Sequence, residues 1–281
     1  MRGFCICLAL AAGAFVIPVP AISQAVAPLL GPQAWVDHVV NDMMPFFTIP
    51  DAQGSPIGAF PGRRCNDGTM PDPTARCSDV SASEANNPQQ YLVAQSRQVY
   101  AYATAFHMTG DTEYLDLAKA GTDHLFDSYT SGGIFFQTLT TDSGALSPAF
   151  YSRNIQSQAY GLLGPSMLYY LTKDDALYDQ ISTASSAITS FFSKPGTGSY
   201  SWNPFGEVNG KITASLDPLN TYIQLLARVA PEPDRAAFRD EAHLIATYLR
   251  DAHFVPERGL FDTNLASTSD SFDFGHSAKS L

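Results

Sequence analysis

Two short stretches, HMTGDTEYLDLA from His107 and YLTKDDALYDQI from Tyr170, limit the folds open to this chain more than any other feature. Each closes one apolar-striped segment, breaks at a Thr-x-Asp turn and opens a second striped segment. The repeat is weak, and its period exceeds that of the common short helical repeats. It fits two helices plus a long loop. The spacing predicts a first helix carrying Trp35, Val36, Val39, Val40 and Met43. A second runs from Gln90 to His107, and a third carries Tyr114, Leu115, Ala118 and Leu125. Two more pairs follow: Asn154–Leu171 with Asp174–Phe192, and Pro218–Val229 with Asp234–Leu249. Pro165 should kink its helix, because its ring blocks the bond to the Gly161 carbonyl. Asp217-Pro218 reads as an N-cap followed by a proline at the first helical position.

Aromatic, glycine-rich connections such as SGGIFFQTL and GTGSYSWNPFGEVNGK join one pair to the next. Long loops gathered at one end of a scaffold usually carry binding groups. Helical hairpins with alternating short and long connections predict an all-α fold, an α/α toroid. The final FDFGHSAKSL spaces Phe272, Phe274, Ala278 and Leu281 as a new helix without a stop signal, so either the protein ends in a frayed turn or the sequence is cut in the middle of an element.

Residues 1–25 read as a secretory signal peptide: Arg2, an apolar run from Phe4 to Ile17, and Ser23-Gln24-Ala25 as the cleavage site. The run is too short for a membrane span, so no stable membrane anchor is expected. Residues 26–281 then form the folded part, periplasmic or extracellular. Cleavage would remove Arg2 and no acid, moving the net charge from −11 to −12. Such a balance argues against a nucleic-acid partner, which needs a basic face. It leaves neutral or cationic small molecules, sugars among them. Cys65 and Cys77 flank a turn-rich loop, and in an exported chain such an isolated pair most simply forms a disulfide, contributing about 3 kcal/mol through loop closure. The loop has no further Cys or His to make a metal site.

RCNDG, SRQVYAYATAFHMTGDTEYLDLAKAG, AYGLLGPSMLYYLT, LDPLNTY and DFGHSAKS occur in an order that resembles the N-acylglucosamine 2-epimerase-like superfamily, especially its exported bacterial members. The resemblance runs from about Phe60 onward. It implies an (α/α)6 barrel of twelve helices, of which seven to eight would be present, making residues 26–281 a partial barrel. It also implies sugar 2-epimerisation or aldose–ketose isomerisation with no cofactor and a carbohydrate substrate.

Removal of the proton on C2 of an open-chain sugar creates an enediolate, which calls for a base titrating near neutrality and for groups that stabilise the oxyanion. His276 matches the family's Gly-His motif and is the expected acid/base; a helix N-cap or surface histidine is the plain alternative. Lys279 stands where the family commonly has a glutamate, so the usual orienting carboxylate is in question. The second catalytic histidine would fall beyond Leu281. Arg97 interrupts an apolar stripe, where a lone guanidinium is costly unless paired or facing a polar cavity. It is compatible with substrate binding, the family's role for it, or with a buried ion pair.

Asn220, Tyr222 and Gln158 are candidate substrate contacts on inner helices. The family often has histidines and a glutamate where Tyr222, Gln224 and Ala227 stand, which suggests a different substrate or a weaker activity. Asp67, Tyr200 and Trp202 could line the mouth, the aromatics by stacking on sugar faces. His38, His124, His243 and His253 lack a second polar partner at useful spacing, and His107 ends the Arg97 helix on a related face but precedes a turn. Two competing functions remain. One is a glycoside hydrolase on the same barrel using carboxylates from Asp67, Asp217, Asp262 or Asp273. The other is a carbohydrate-binding protein without catalysis.

Overall fold

The computed structural model describes residues 31–72, 74, 77, 89–142, 145–149, 154–207, 210–267 and 271–280. The signal-peptide reading of residues 1–25 lies outside them. Among the described residues no helix is long and apolar enough to cross a membrane.

The expected pairs are present as inner and outer helices. α1 (Pro32–His38), a π-turn (Val39–Met43), α2 (Met44–Thr48) and α3 (Pro50–Gln53) lead in. The first pair is α4 (Leu92–Thr109) with α5 (Thr112–Tyr129). The second inner helix is α6 (Ile155–Gly161) continued by α7 (Leu163–Thr172), and its outer partner is α8 (Asp175–Phe192). The third consists of α9 (Ile212–Pro218), a π-turn (Leu219–Ile223) and α10 (Gln224–Val229), backed by α11 (Asp234–Tyr248). The next inner helix is α12 (Phe274–Ser280). Inner helices touch in chain order, α4 on α6 and α7, α6 on α9, and α9 on α12. The Thr-x-Asp turns are N-caps: Asp111 Oδ1 accepts the Glu113 N–H at 3.0 Å, and Asp174 Oδ1 accepts the Ala176 N–H at 2.9 Å.

Each outer helix returns to the next inner helix through a small antiparallel hairpin: β2 (Thr130–Ser131) with β3 (Ile134–Phe135), β6 (Ser193–Lys194) with β7 (Ser199–Tyr200), and β8 (Phe254–Val255) with β9 (Leu260–Phe261). Each second strand ends on a buried aromatic, Phe135, Tyr200 or Phe261. A three-stranded sheet of β1 (Gln89–Tyr91), β4 (Thr138–Asp142) and β5 (Ala145–Ala149) adds to the same end.

The loop aromatics are held by one device used four times. Gln95 Oε1 accepts the Phe60 N–H at 3.0 Å, and Gln158 Oε1 accepts the Phe135 N–H at 2.9 Å. Ser215 Oγ accepts the Tyr200 N–H at 3.1 Å, and Ser277 Oγ accepts the Phe261 N–H at 3.2 Å. Each acceptor is the fourth residue of its inner helix segment. All four are buried, so each bond satisfies a loop N–H that water does not reach.

Pro165 breaks the second inner helix as expected, at Leu162 between α6 and α7. Ser96 repairs the break. Its hydroxyl donates to the freed Gly161 carbonyl at 3.2 Å and accepts the Gly164 N–H at 2.9 Å. Gly164 permits that approach, since a Cβ there would stand 2.4 Å from the Ser96 carbonyl oxygen. Ser96→Ala should therefore cost about 2 kcal/mol by orphaning two buried backbone groups, read as a lowered midpoint in urea unfolding. A cost below about 0.5 kcal/mol would remove Ser96 from this role.

The Asp217-Pro218 reading is corrected. The third inner helix begins at Ile212, so the pair lies inside it, and Asp217 caps nothing. Pro218 has no N–H, and the backbone passes it by widening into the π-turn Leu219–Ile223. An earlier start was hard to read because Ile212, Ala214 and Leu216 alternate like a strand.

Candidate functional site at the inner-helix mouth

Two residues beyond the loop-holding position, each inner helix places a side chain at the mouth: Arg97, Tyr160, Asp217 and Lys279. Each is the sixth residue of its segment, and their contacts tie them together. The Arg97 guanidinium lies 4.6 Å from the centre of the Tyr160 ring, and the Lys279 ammonium lies 5.8 Å from that same centre. Lys279 Nζ also donates to Asp217 Oδ1, and Gln156 Nε2 donates to Asp217 Oδ2 at 2.7 Å. The Asp217 side chain is 1% exposed and that of Lys279 32%. Both carboxylate oxygens are occupied, and the buried charge is compensated by a cation that still reaches solvent. Asn220 Nδ2 donates to the Lys279 carbonyl at 3.2 Å, fixing α12 against the third inner helix.

Arg97 is exposed. Its neighbours one turn away, Ala94, Tyr100 and Ala101, are themselves half-buried or exposed, whereas the packed face of the helix carries Leu92, Val99, Tyr102 and Ala103. Arg97 lies on the outward side and rests on an aromatic face. Of its two sequence readings, the open polar cavity matches this placement better than the buried ion pair.

His276 precedes Lys279 by three residues on α12, a spacing that puts both on one side of the helix. Its side chain is 35% exposed, and Nδ1 stands 3.3 Å from Asp273 Oδ1. The same carboxylate oxygen accepts the His276 backbone N–H at 2.9 Å. That backbone bond, more than any other interaction, holds the Asp273 carboxyl below its ordinary range. Thus a carboxylate does stand beside the imidazole, three residues before it rather than three after. With Nδ1 facing Asp273, Nε2 is the atom turned to other partners.

Several sequence candidates lie elsewhere. Gln158 is fully buried, and its amide is spent on Phe135: Nε2 donates to the carbonyl at 2.7 Å while Oε1 takes the N–H. Tyr222 is buried between the inner and outer layers, 1% exposed, and lines a groove between α8 and α11. Neither side chain is turned toward the mouth residues. Helical spacing shows which residues share a face but not which face turns inward. Tyr200 is likewise core, its hydroxyl donating to Glu241 Oε1 at 2.9 Å.

Asp67 is exposed in the loop closed by the Cys65–Cys77 disulfide, and it accepts from the Thr69 N–H at 3.0 Å and the Thr69 hydroxyl at 2.7 Å. Trp202 is half-buried, with the Lys211 ammonium 4.3 Å from its ring, in the connection before α9. Sequence reasoning missed Tyr160 and gave no mouth role to Lys279 or Gln156. Aligning the inner-helix starts LVAQSR, IQSQAY, ITASLD and FGHSAK would have found the first two.

No protein-family model and no curated protein matches the chain. Solved structures do. The cellobiose 2-epimerase of Spirochaeta thermophila DSM 6192 superposes with a TM-score of 0.67 at 18% identity, over 87% of this chain and 60% of that one. A D-mannose isomerase matches with a TM-score of 0.60 at 18% identity, over 78% and 50%. The unsaturated glucuronyl hydrolase of Bacillus sp. GL1 matches with a TM-score of 0.55 at 16% identity, over 79% and 56%. The chain thus spans half to three-fifths of the length of these structures. Its helical pairs have the α/α-toroid fold on which sugar epimerases, isomerases and hydrolases are built.

Proposed function

We propose that this chain belongs to an exported enzyme that moves a proton at C2 of a mono- or oligosaccharide, as a 2-epimerase or an aldose–ketose isomerase. The observation that carries the reading is the meeting of two cations, Arg97 and Lys279, over one aromatic ring, with a carboxylate-oriented histidine one turn away. Neutral His276 takes the C2 proton through Nε2. The electron pair forms the C1–C2 double bond, and the negative charge moves to the carbonyl oxygen. Arg97 and Lys279 lie where they can stabilise that charge. Return of a proton to C2 from the other face inverts it, and return to C1 gives the isomer.

Asp217 supports this chemistry indirectly by holding the Lys279 ammonium in place. A hydrolase is the second reading, suggested by the fold shared with glucuronyl hydrolase. It fits less well: Asp217 is the one buried carboxylate among the described residues, and both its oxygens are occupied. A carboxyl acid for glycosidic cleavage needs a free, protonated oxygen.

The test is incubation of the protein with mannose, glucose and cellobiose in D2O, followed by NMR. Deuterium at C2, lowered at least about 100-fold in His276→Asn, is the expected result. Glycosidic cleavage with C2–H intact would favour the hydrolase, and saturable sugar binding with neither change would favour a carbohydrate-binding protein.

A further inference from the structure

The three hairpins that lead from outer to inner helices close on equivalent pairs, the residue before the first strand and the residue after the second. The Tyr129 carbonyl accepts the Phe136 N–H at 2.7 Å, that of Phe192 the Ser201 N–H at 2.9 Å, and that of His253 the Asp262 N–H at 2.7 Å. The first member of each pair is buried, at 0%, 1% and 0% exposure. Two junctions place a tyrosine and a phenylalanine there. The third, at the end of the π-turn Leu249–His253 that follows α11, places an imidazole in the same dry position.

The imidazole makes a bond that a phenyl ring cannot. Its Nδ1 stands 2.6 Å from the Asp262 carbonyl oxygen, which can only accept, so Nδ1 carries the proton. His253 thus grips Asp262 by ring and by backbone. Nε2 is then the bare nitrogen, and no group among the described residues meets it. A proton added there would bury a charge and an N–H without an acceptor. Burial accordingly holds the ring's pKa below its ordinary value, against the opposing pull of the Asp262 hydrogen bond and charge. Few ionisable groups surround the ring. Tyr248 of α11 lies edge-on at 5.4 Å. Arg250 and Asp251 of the same turn are exposed and paired with each other at 2.6 Å. The ionisable side chain of α9, which packs against the turn, is Asp217, already bonded to Lys279 and Gln156. The β8 strand carries none. The carboxylate of Asp262 itself accepts the Asn264 N–H at 2.9 Å.

Asp262 is where the third hairpin joins the mouth. It forms an antiparallel bridge to Phe272, the residue before Asp273, whose carboxylate stands beside His276. On either side, the Phe261 N–H bonds to Ser277 of α12, and the Thr263 carbonyl accepts the Ile212 N–H at 3.0 Å where α9 begins. We propose that His253 is an acid-released latch: neutral, it clasps Asp262 and seats the β8–β9 hairpin against α12; protonated, it lets the hairpin go and frees α12, with His276 and Lys279, from its place at the mouth. The other two hairpins have no such control. Phe192 does not titrate, and burial drives the Tyr129 phenol upward, so it stays neutral. The sign follows from linkage. The opened form takes up a proton near the ordinary imidazole value of about 6.5, and the closed form resists it. Closure is therefore complete above that pH and weakens as the pH falls below it. The inference concerns how α12 is held, and it stands whatever reaction the mouth carries out.

Hydrogen exchange of the full chain at about pH 7.5 and about pH 5 tests it, corrected for the intrinsic pH dependence of amide exchange. The lower value is still above the ordinary carboxylate range. Protection over residues 254–264 and 272–280 should fall at least about tenfold at the lower pH. Residues 130–136 and 193–201 should change by less than about twofold. His253→Phe, which installs the Phe192 arrangement, should abolish the difference. So should His253→Gln, whose amide can still donate to the Asp262 carbonyl. If neither variant folds, NMR titration of the His253 ring in the parent decides, because its midpoint must coincide with the loss of protection. Equal protection at both pH values would overturn the proposal. So would a loss shared by all three hairpins, which means general loosening by acid. A loss that persists in a folded His253 variant, or that is out of step with the ring's titration, would also overturn it and point to another group.

Discussion

Replacing Lys279 by methionine should lower stability by about 3 kcal/mol at neutral pH, although lysine and methionine are similar in length and the site is at the rim of the mouth. The cost arises from the partner. Asp217 is 1% exposed, and without the ammonium its charge has only the Gln156 amide for compensation. Removing one member of a buried ion pair costs about 3–5 kcal/mol, because the other charge is left stranded. The lower end applies here, since Lys279 itself is 32% exposed and water can partly fill its place. The double variant Asp217→Leu/Lys279→Met should recover to within about 1 kcal/mol of the parent, because an apolar pair of similar volume often matches a buried ion pair. Urea unfolding of the four proteins forms the cycle. A single-variant cost under about 0.5 kcal/mol would mean that the pair behaves like a surface ion pair, and that Asp217 does not depend on Lys279. On the proposed function, the double variant should refold well yet exchange C2 deuterium poorly, separating the catalytic contribution of Lys279 from its structural one.

Gln158→Ala should be the most damaging change among the residues that hold the hairpins, lowering stability by about 4 kcal/mol. The amide makes two bonds to Phe135, one to its N–H and one to its carbonyl, and the site is fully buried. Two orphaned backbone groups at about 1–3 kcal/mol each, plus the cavity, reach that figure. Ser215→Ala removes a single bond, to the Tyr200 N–H, and should cost about 1.5 kcal/mol. Phe135 also packs at 6.0 Å from Phe126, and a Cβ on Gly161 would stand 2.8 Å from the Phe135 ring, so its loop has little room to find new partners. Thermal or urea unfolding of the two variants checks the order. If Ser215→Ala proved the costlier, the hairpins would be held chiefly by packing of their aromatics, and the repeated hydrogen bond would be incidental.

The four holding residues show how much of the site the sequence contained. Gln95, Gln158, Ser215 and Ser277 differ in type, so no identity search links them, yet each sits at the same step of its helix. The same register places Arg97, Tyr160, Asp217 and Lys279 at the mouth. Arg97 and His276 stood out individually, one as a charge in an apolar stripe and one as a histidine in a Gly-His pair. Tyr160 did not, because a tyrosine among Ala159, Gly161 and Leu162 reads as ordinary core. Gln158 and Tyr222 read from the sequence as candidate sugar contacts because each is polar on an inner helix. Which polar residue faces the axis and which faces the loops depends on helix rotation, and that is set by packing against both neighbours.

By itself the sequence determined the helical pairs, their order and their turns. These follow from local rules: the 3.6-residue apolar period, aspartate caps after threonine, and proline's missing N–H. It also pointed to the Cys65–Cys77 pairing, because the two flank one turn-rich loop, and the disulfide is present. Only the tertiary structure decided that the third inner helix runs through Asp217-Pro218, that Lys279 neutralises Asp217, and that a serine-lined groove opens behind Tyr222. The last two join residues far apart in the chain, 62 positions for Asp217 and Lys279. Local propensity carries no information about contacts at that separation. They form because a buried charge, an orphaned amide or an unfilled seam must find its partner among whatever the packed helices bring near.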